Sequence, residues 1–420
     1  MYYGFDIDQN LINLSKKCEE KLADVFAMYD ENCLRCSAKV LKAFHDQRLS
    51  SSDFIGTTGY GYSDEGRDKL ERIYAQIFGA EDALVRPQIM SGTHALSLTF
   101  SGLLKSGDTM ISISGEPYDS LKSIIGLTGT SRNSLLKNGI NYEQIELVSG
   151  DFDIATICER LKLHNVKLVE IQRSRGYSNR PSLTVDKIEK VCKAIREVDK
   201  NVIIMVDNCY GDFVEEKEPT EVGADIIVGS LMKNLGGGIA QTGGYIVGKR
   251  NLIEDVAERF SAPCIGKDIG ANMGQLHSFY KGLHNAPVVV CSALKTMTLA
   301  SLMLENLGFD VSPKWNEKRA DIVQTIALKT PENLINFCVG IQKSAPVESY
   351  VTPVPGETPG YPHEEIMASG SFTQGSTIEL SCDGPLVAPY TAYMQGGLTY
   401  EYGKLGILLA INNFMKKDTY

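Results

Sequence analysis

The sequence predicts an α/β protein with a mostly parallel central sheet and a smaller C-terminal α/β domain. Three observations predict it. Short runs rich in Val and Ile recur through the middle of the chain without polar alternation, the pattern of strands buried on both faces. Segments of helical periodicity lie between several of these runs, which implies βαβ units with right-handed crossovers. After Gly270 the alternation gives way to one long helical stretch and then to mixed helix and strand-like pieces.

Residues 9–30 carry Leu11, Leu14, Leu22, Val25 and Phe26 near helical spacing among charges, and predict an amphipathic helix. A second helix is predicted over Cys33–Gln47. The stretch Gly56-Thr57-Thr58-Gly59-Tyr60-Gly61-Tyr62 is too rich in glycine for helix or strand. From Ser63 a helical pattern runs through Leu70, Ile73, Tyr74, Ile77 and Phe78 until Gly79 stops it. The predicted strands are Ala83–Arg86, Thr109–Ile113, Gln144–Leu147, Lys167–Ile171, Val202–Val206, Ile226–Val228 and Tyr245–Val247. Helical patterns at Ala95–Leu104 and Val185–Val198 lie between them. A long helix is expected from about Met273 to Leu307. Its apolar part, Val288–Leu304, is interrupted by Lys295 and short for a membrane span, so it reads as a buried helix. A loop follows with Pro353, Pro355, Gly356, Pro359, Gly360 and Pro362. The expected division is an N-terminal helical segment 1–50, a large domain 51–285 and a small domain 286–420.

With 420 residues and about 150 per domain, two to three domains are expected, and the chain can bury a large core without staples. The 42 basic against 52 acidic residues give a net charge of −10, which argues against nucleic-acid or polybasic membrane-surface binding by bulk charge. Ten cysteines are scattered along the chain, unlike a secreted disulfide framework. Met1-Tyr2-Tyr3-Gly4-Phe5-Asp6 has neither the basic nor the apolar region of a signal peptide. The expected compartment is a reducing cytoplasm.

In an open parallel sheet, ligands sit at the carboxyl ends of the strands. Four groups follow strand runs directly. Ser91-Gly92-Thr93-His94 precedes the Ala95–Leu104 helix, where free backbone N–H groups and the helix dipole favour an anion; the same segment serves as an ordinary N-cap. Asp207 ends the Val202–Val206 run and would point into a cleft, unless it caps a helix or faces solvent. Lys233, in Gly229-Ser230-Leu231-Met232-Lys233-Asn234-Leu235-Gly236-Gly237-Gly238, follows Ile226–Val228; in a partly apolar site a lysine becomes a carbonyl-directed nucleophile, and in a flexible loop it is a surface residue. Tyr118 follows Ser114-Gly115-Glu116-Pro117, where its ring would stack on a flat cofactor or pack at the rim.

Together these groups resemble fold-type I pyridoxal 5′-phosphate (PLP) enzymes of the cystathionine γ-synthase/methionine γ-lyase group. Within that group the chain is similar to the methionine γ-lyase family branch that includes aluminium-resistance proteins. Tyr60–Glu65, Arg86–Ala95 and Gly229–Gly238 carry the likeness, which covers roughly residues 50–400. The resemblance implies that Lys233 binds the cofactor aldehyde and that Asp207 pairs with its pyridinium nitrogen. It implies that Gly92 and Thr93, with Ser91 and Ser230, hold the phosphate and that Tyr118 stacks on the ring. It makes Tyr60 or Tyr62 the tyrosine lent to a neighbouring subunit, and hence implies a homodimer or homotetramer with shared sites.

Three departures stand out. Met232 replaces the usual Thr before the lysine. Ser63-Asp64-Glu65-Gly66 separate the tyrosines from Arg67, the nearest match to the neighbour's arginine. No Arg follows Arg319, although the family holds the substrate carboxylate with an arginine there. Arg173 or Arg175, after the Lys167–Ile171 run, is the expected replacement and would hold the carboxylate or the phosphate, a guanidinium being the fork a carboxylate needs; surface salt bridges are the other use for them.

Cys33-Leu34-Arg35-Cys36 is a lone C-x-x-C without a second ligand pair, so no metal is expected. His277 and His284 read as packing or surface residues, and the glycines after Lys233 lack the Lys-Ser/Thr pair of a P-loop. The implied activity is a PLP-dependent carbon–sulfur lyase acting on a sulfur amino acid. In it Lys233 serves as nucleophile and base, with Tyr60, Tyr62 or Tyr118 assisting the leaving group. Gamma-replacement, transamination and a regulatory PLP-binding role remain the alternatives.

Overall fold

The computed structural model describes residues 4–357 and 363–417. Met1–Tyr3 of the leading segment, Pro359, Gly360 and Pro362 of the Pro/Gly loop, and the last three residues of the expected small domain lie outside the described residues.

The large sheet comprises β1 (Asp82–Arg86), β2 (Thr109–Ser112), β3 (Asn141–Gln144), β4 (Val166–Gln172), β5 (Ile203–Asp207), β6 (Ile226–Ser230) and β7 (Gly244–Gly248). Their order is β1-β7-β6-β5-β4-β2-β3. β7 runs antiparallel to both β1 and β6, and the other pairs are parallel. Successive residues of a strand face opposite sides, and the unbroken apolar runs accordingly feed two cores. Val169, Ile171, Ile204, Val206, Ile227 and Val247 face one. Leu168, Ile203, Met205, Ile226, Val228 and Ile246 face the other.

Eleven helices are described: α1 (Gln9–Lys21), α2 (Ala23–Asp46), α3 (Glu65–Ile77), α4 (Gly92–Leu103), α5 (Asp119–Ile125), α6 (Ile154–Leu161), α7 (Val185–Val198), α8 (Arg250–Phe260), α9 (Leu276–Asn306), α10 (Pro331–Ser344) and α11 (Tyr400–Lys417). The second sheet, β8 (Asp310–Ser312), β9 (Val323–Ala327), β10 (Glu365–Ala368), β11 (Ser381–Pro385) and β12 (Thr391–Gln395), has the order β10-β11-β12-β9-β8 and is antiparallel throughout. The C-terminal part is thus α/β, as expected.

α9 is long and apolar enough to cross a membrane by length and composition, yet 89% of its apolar window is buried in the protein. Leu276–Leu294 pack in the large core, and Met297–Leu304 pack with α1, α10, α11 and the second sheet.

Two expected elements shift. The helix over 9–30 breaks at Leu22, which bends to φ −90° and ψ 2°. α1 belongs to the small-sheet core and α2 to the large one, so the chain must turn between them. The buried Leu22 suits the apolar stripe of either helix, and periodicity runs straight through the bend. The strand expected at Gln144–Leu147 forms instead at Asn141–Gln144. It is an edge strand with exposed ends, and the apolar Ile145 and Leu147 follow it to pack against the core.

Candidate active site

The carboxyl ends of β4, β5 and β6 open on a cavity of about 270 Å³ whose far wall is β11 and β12 of the small sheet. Ser91, Gly92, Thr93, Tyr118, Asp207, Ser230 and Lys233 all line it. Seven of the eleven residues singled out in the sequence therefore meet in one place.

The α4 N-terminus enters from one side. Ser91 is its N-cap: its Oγ accepts from the His94 N–H at 3.1 Å, and its carbonyl accepts from Ala95. The N–H groups of the first helical residues, Gly92 and Thr93, have no intrahelical acceptor and are available to an anion. A Cβ on Gly92 would stand 3.2 Å from Cys209 Sγ and 3.4 Å from Ser230 Cβ, so glycine allows the helix end to sit this close to β6. Ser230 Oγ, the last residue of β6, accepts from the Met232 N–H at 3.2 Å.

Asp207 ends β5 opposite Gln172 of β4. Its Oδ1 accepts from the Cys209 N–H at 3.1 Å. Burial pushes this carboxyl up, and the charge of Lys233 pulls it partly back. Lys233 follows β6 and opens a single 3-10 turn, Asn234–Gly236, which Asn234 anchors by donating to the Asp212 carbonyl at 2.9 Å. Its Nζ lies 3.9 Å from the Tyr210 ring centroid. Burial acts to lower the pKa of this ammonium, while Cys209, Tyr210 and Asp207 around it act to raise it and prevail. Burial pushes the Cys209 thiol and the Tyr210 phenol up, and Asp207 is the carboxylate that lines the cavity beside Lys233. Tyr118, the N-cap of α5, donates its N–H to Gln172 Oε1 at 2.9 Å. Burial, then the charge of Asp207, raises its phenol.

Four of the singled-out residues do not line the cavity. Arg173 is fully buried beneath the floor. Its guanidinium donates to Asn208 Oδ1 at 2.8 Å and the Gly211 carbonyl at 2.9 Å, and pairs with Glu215 at 3.0 Å and Glu218 at 3.5 Å. Those partners occupy the fork expected for a substrate. Arg175 reaches toward the small sheet, donating to Ser312 Oγ at 3.2 Å and Thr325 Oγ1 at 3.4 Å, while its neighbours Ser174 and Gly176 line the cavity. Tyr60 and Tyr62 stack on each other with ring centroids 5.5 Å apart and stand 69% and 65% exposed. Their loop is pinned from behind by Arg67, which donates to the carbonyls of Gly61 at 2.8 Å and Gly270 at 3.2 Å.

Sequence reasoning missed Cys209 and Tyr210, although both directly follow the Asp207 strand end. It also missed Tyr177, Asp383, Tyr393 and Gln395. The last three lie on short small-sheet strands that carry no apolar-run signal. His277 packs edge-on against Phe54 and His284 stacks on Phe44, both as packing residues.

Known proteins share this arrangement of the chain. A Bacillus subtilis protein, YnbB, is 44% identical over 402 residues, which cover 95% of each chain. A Clostridium acetobutylicum structure, described as a candidate cystathionine beta-lyase involved in aluminum resistance, is 46% identical and covers 97% of this chain and 96% of its own, with a TM-score of 0.94. At 16% identity, the pyridoxal-5′-phosphate-dependent protein YhfS of Escherichia coli shares the fold, with a TM-score of 0.60 over 90% of this chain and 95% of its own. The fold is therefore that of the fold-type I PLP-dependent enzymes. The family model for methionine gamma-lyase matches residues 11–415, and the chain belongs to the methionine gamma-lyase family.

Proposed function

We propose that the protein is a PLP-dependent carbon–sulfur lyase that cleaves a sulfur amino acid into a thiol, a 2-oxo acid and ammonia. One observation carries the reading: Lys233 and Asp207, from adjacent strand ends, face one cavity with the α4 N-terminus. The name borne by the Clostridium relative and the family match support it.

The donor set fits the cofactor. Gly92 and Thr93 N–H groups with the Ser230 hydroxyl suit a phosphate, and the absence of a side chain at Gly92 lets the backbone approach it. Asp207 supplies a buried carboxylate for a pyridinium, and Tyr118 an aromatic face. PLP bound here would supply the electron sink for negative charge at the substrate Cα. Lys233 would hold the cofactor's aldehyde, and its Nζ, once free, would take the substrate's Cα proton. The C–S bond breaks, the sulfur leaves with the bonding pair and takes a proton as a thiol, and one water releases the 2-oxo acid and ammonia. Asp207, shielded from water, would hold the proton on the ring nitrogen. We read the exposed Tyr60–Tyr62 pair as the part lent to a neighbouring subunit of a homodimer or homotetramer. We place the protein in a reducing cytoplasm, a reading supported by ten thiols scattered through the fold.

An absorption scan of the purified protein, with L-cystathionine, L-methionine and L-cysteine added in turn, tests this. A visible cofactor band that changes with one of them, together with 2-oxo acid release, is the expected result; a colourless protein that cannot be loaded with PLP overturns it. Asp207→Ala is expected to weaken PLP binding by about 3 kcal/mol, or ~10²-fold, because it strips a buried charge of its partner. A titration of cofactor-free protein followed at the same band measures this.

A further inference from the structure

The small-sheet wall of the cavity carries a carboxylate that the chemistry above does not use. Asp383, on β11, lines the cavity with Lys233 and keeps part of its surface open to it. Its contacts are neutral donors: Gln395 Nε2 at 3.5 Å and the Tyr177 hydroxyl. Among the described residues no lysine, arginine or histidine forms an ion pair with it. Of the cavity's other carboxylates, Asp119 pairs with Lys122 at 2.6 Å and Asp207 feels the charge of Lys233, and that same lysine is the one cation whose charge acts on Asp383. Lys233 is the one cation among the described lining residues, and it is consumed when it binds an aldehyde. Beside Asp383, the rings of Tyr177 and Tyr393 lie 4.9 Å apart at 46°. Burial pushes the Asp383 carboxyl up to about 6, so at pH 8 it is an anion shielded from water. A shielded carboxylate flanked by aromatic faces is a corner built for an organic ammonium ion.

We propose that Asp383 is a specificity residue that receives an ammonium group on the thiol side of the substrate. The preferred substrates are then S-substituted cysteines or homocysteines whose departing thiol carries a primary amine. The substrate's α-amine would be committed to the aldehyde that Lys233 gives up on the floor, so the group that reaches the small-sheet wall is the one beyond sulfur. A neutral side chain there leaves the carboxylate buried without a counter-ion, and a site that leaves a polar group unpaired discriminates strongly. This assignment rests on the lyase reading.

Two isosteric pairs test it at pH 8. L-Lysine and L-2-aminoheptanoate have no C–S bond and report binding to the PLP-loaded protein by calorimetry. S-(2-Aminoethyl)-L-cysteine and S-propyl-L-cysteine report 2-oxo acid release. Within each pair the members differ only in a terminal ammonium or methyl group. The wild type is expected to prefer the ammonium member by about tenfold or more in Kd and in kcat/KM. In Asp383→Asn both ratios fall to near one. A wild-type ratio near one in binding overturns the proposal, whether or not the variant folds. So does a preference that persists in Asp383→Asn. The two readings fail differently: a binding preference without 2-oxo acid release from any sulfur amino acid sinks the lyase and leaves Asp383 as an ammonium site, whereas efficient release with no preference sinks only the role of Asp383.

Discussion

Replacing Lys233 by alanine is expected to abolish the visible cofactor band and to lower turnover by at least about 10⁴-fold, because one side chain serves as both nucleophile and base. Lys233→Arg should do no better. A guanidinium keeps the charge beside Asp207 but does not give up its proton near neutral pH, so it can neither attack an aldehyde nor take a proton from Cα. The pair separates charge from chemistry: charge alone is restored in the arginine variant, and turnover stays lost. Cofactor absorption and 2-oxo acid release measure both. Turnover within tenfold of wild type in either variant would remove Lys233 from the reaction. The alanine variant carries a second signature. With the lysine gone, the largest influence that offsets the burial of Asp207 is lost and only the Cys209 hydrogen bonds and the charge of Arg180 remain, so its carboxyl is pushed up further and should hold its proton into a higher pH range.

The largest expected effect on stability comes from Arg173. It was expected in the sequence as a ligand for substrate and is found as a buried tie under the site. Its guanidinium gathers Asn208, the Gly211 carbonyl, Glu215 and Glu218. These residues form the turn that follows Asp207. Arg173→Ala leaves the buried Glu218 without its ion-pair partner, while Glu215 keeps Lys318 at 2.7 Å, and is expected to destabilise the fold by about 3–5 kcal/mol. The loss should depend on pH. Burial raises both Asp212 and Glu218, and the charge of Glu218 raises Asp212 further, against the charge of Arg173. An acid whose folded pKa lies above its unfolded value binds more protons when folded. Its contribution is full below the unfolded pKa of about 4 and is lost as pH rises through the folded value. Without Arg173 both folded values climb, so the deficit should be larger at pH 8 than at pH 5. Urea unfolding of both proteins at the two pH values checks this. A deficit under 1 kcal/mol at pH 8, or one that is the same at both, refutes the account.

Arg173 also shows how far the sequence could be read. Its position after a parallel strand lies next to the cavity, but β4 sends alternate residues to opposite sides. Gln172, next to it, lines the cavity while Arg173 points beneath the floor. Nothing local to the sequence announces which side a residue beyond the strand end will take. Asp207, Ser230 and Lys233 were legible because each ends or follows an apolar run that only a buried strand explains. β7 was legible as a strand but not as the antiparallel one, since a run buried on both faces looks the same in either direction. The small-sheet wall stayed hidden for another reason. Asp383, Gly384 and Pro385 are residues of turns, yet here they lie in β11, held there by pairing with β10 and β12. That pairing is long-range, and it is what brings Asp383 to the cavity.

α9 carries a mechanical consequence. One continuous helix is embedded at its start in the core beneath Lys233 and at its end in the core beneath Asp383. It acts as a girder common to both walls of the cavity. Neither wall can let go while the other stays whole, because loosening either core strips one end of the same helix of its packing. The spacing between floor and far wall is therefore tied to the packing of one helix in both cores. A substrate must fit that fixed gap, and loss of the gap should coincide with loss of the whole fold.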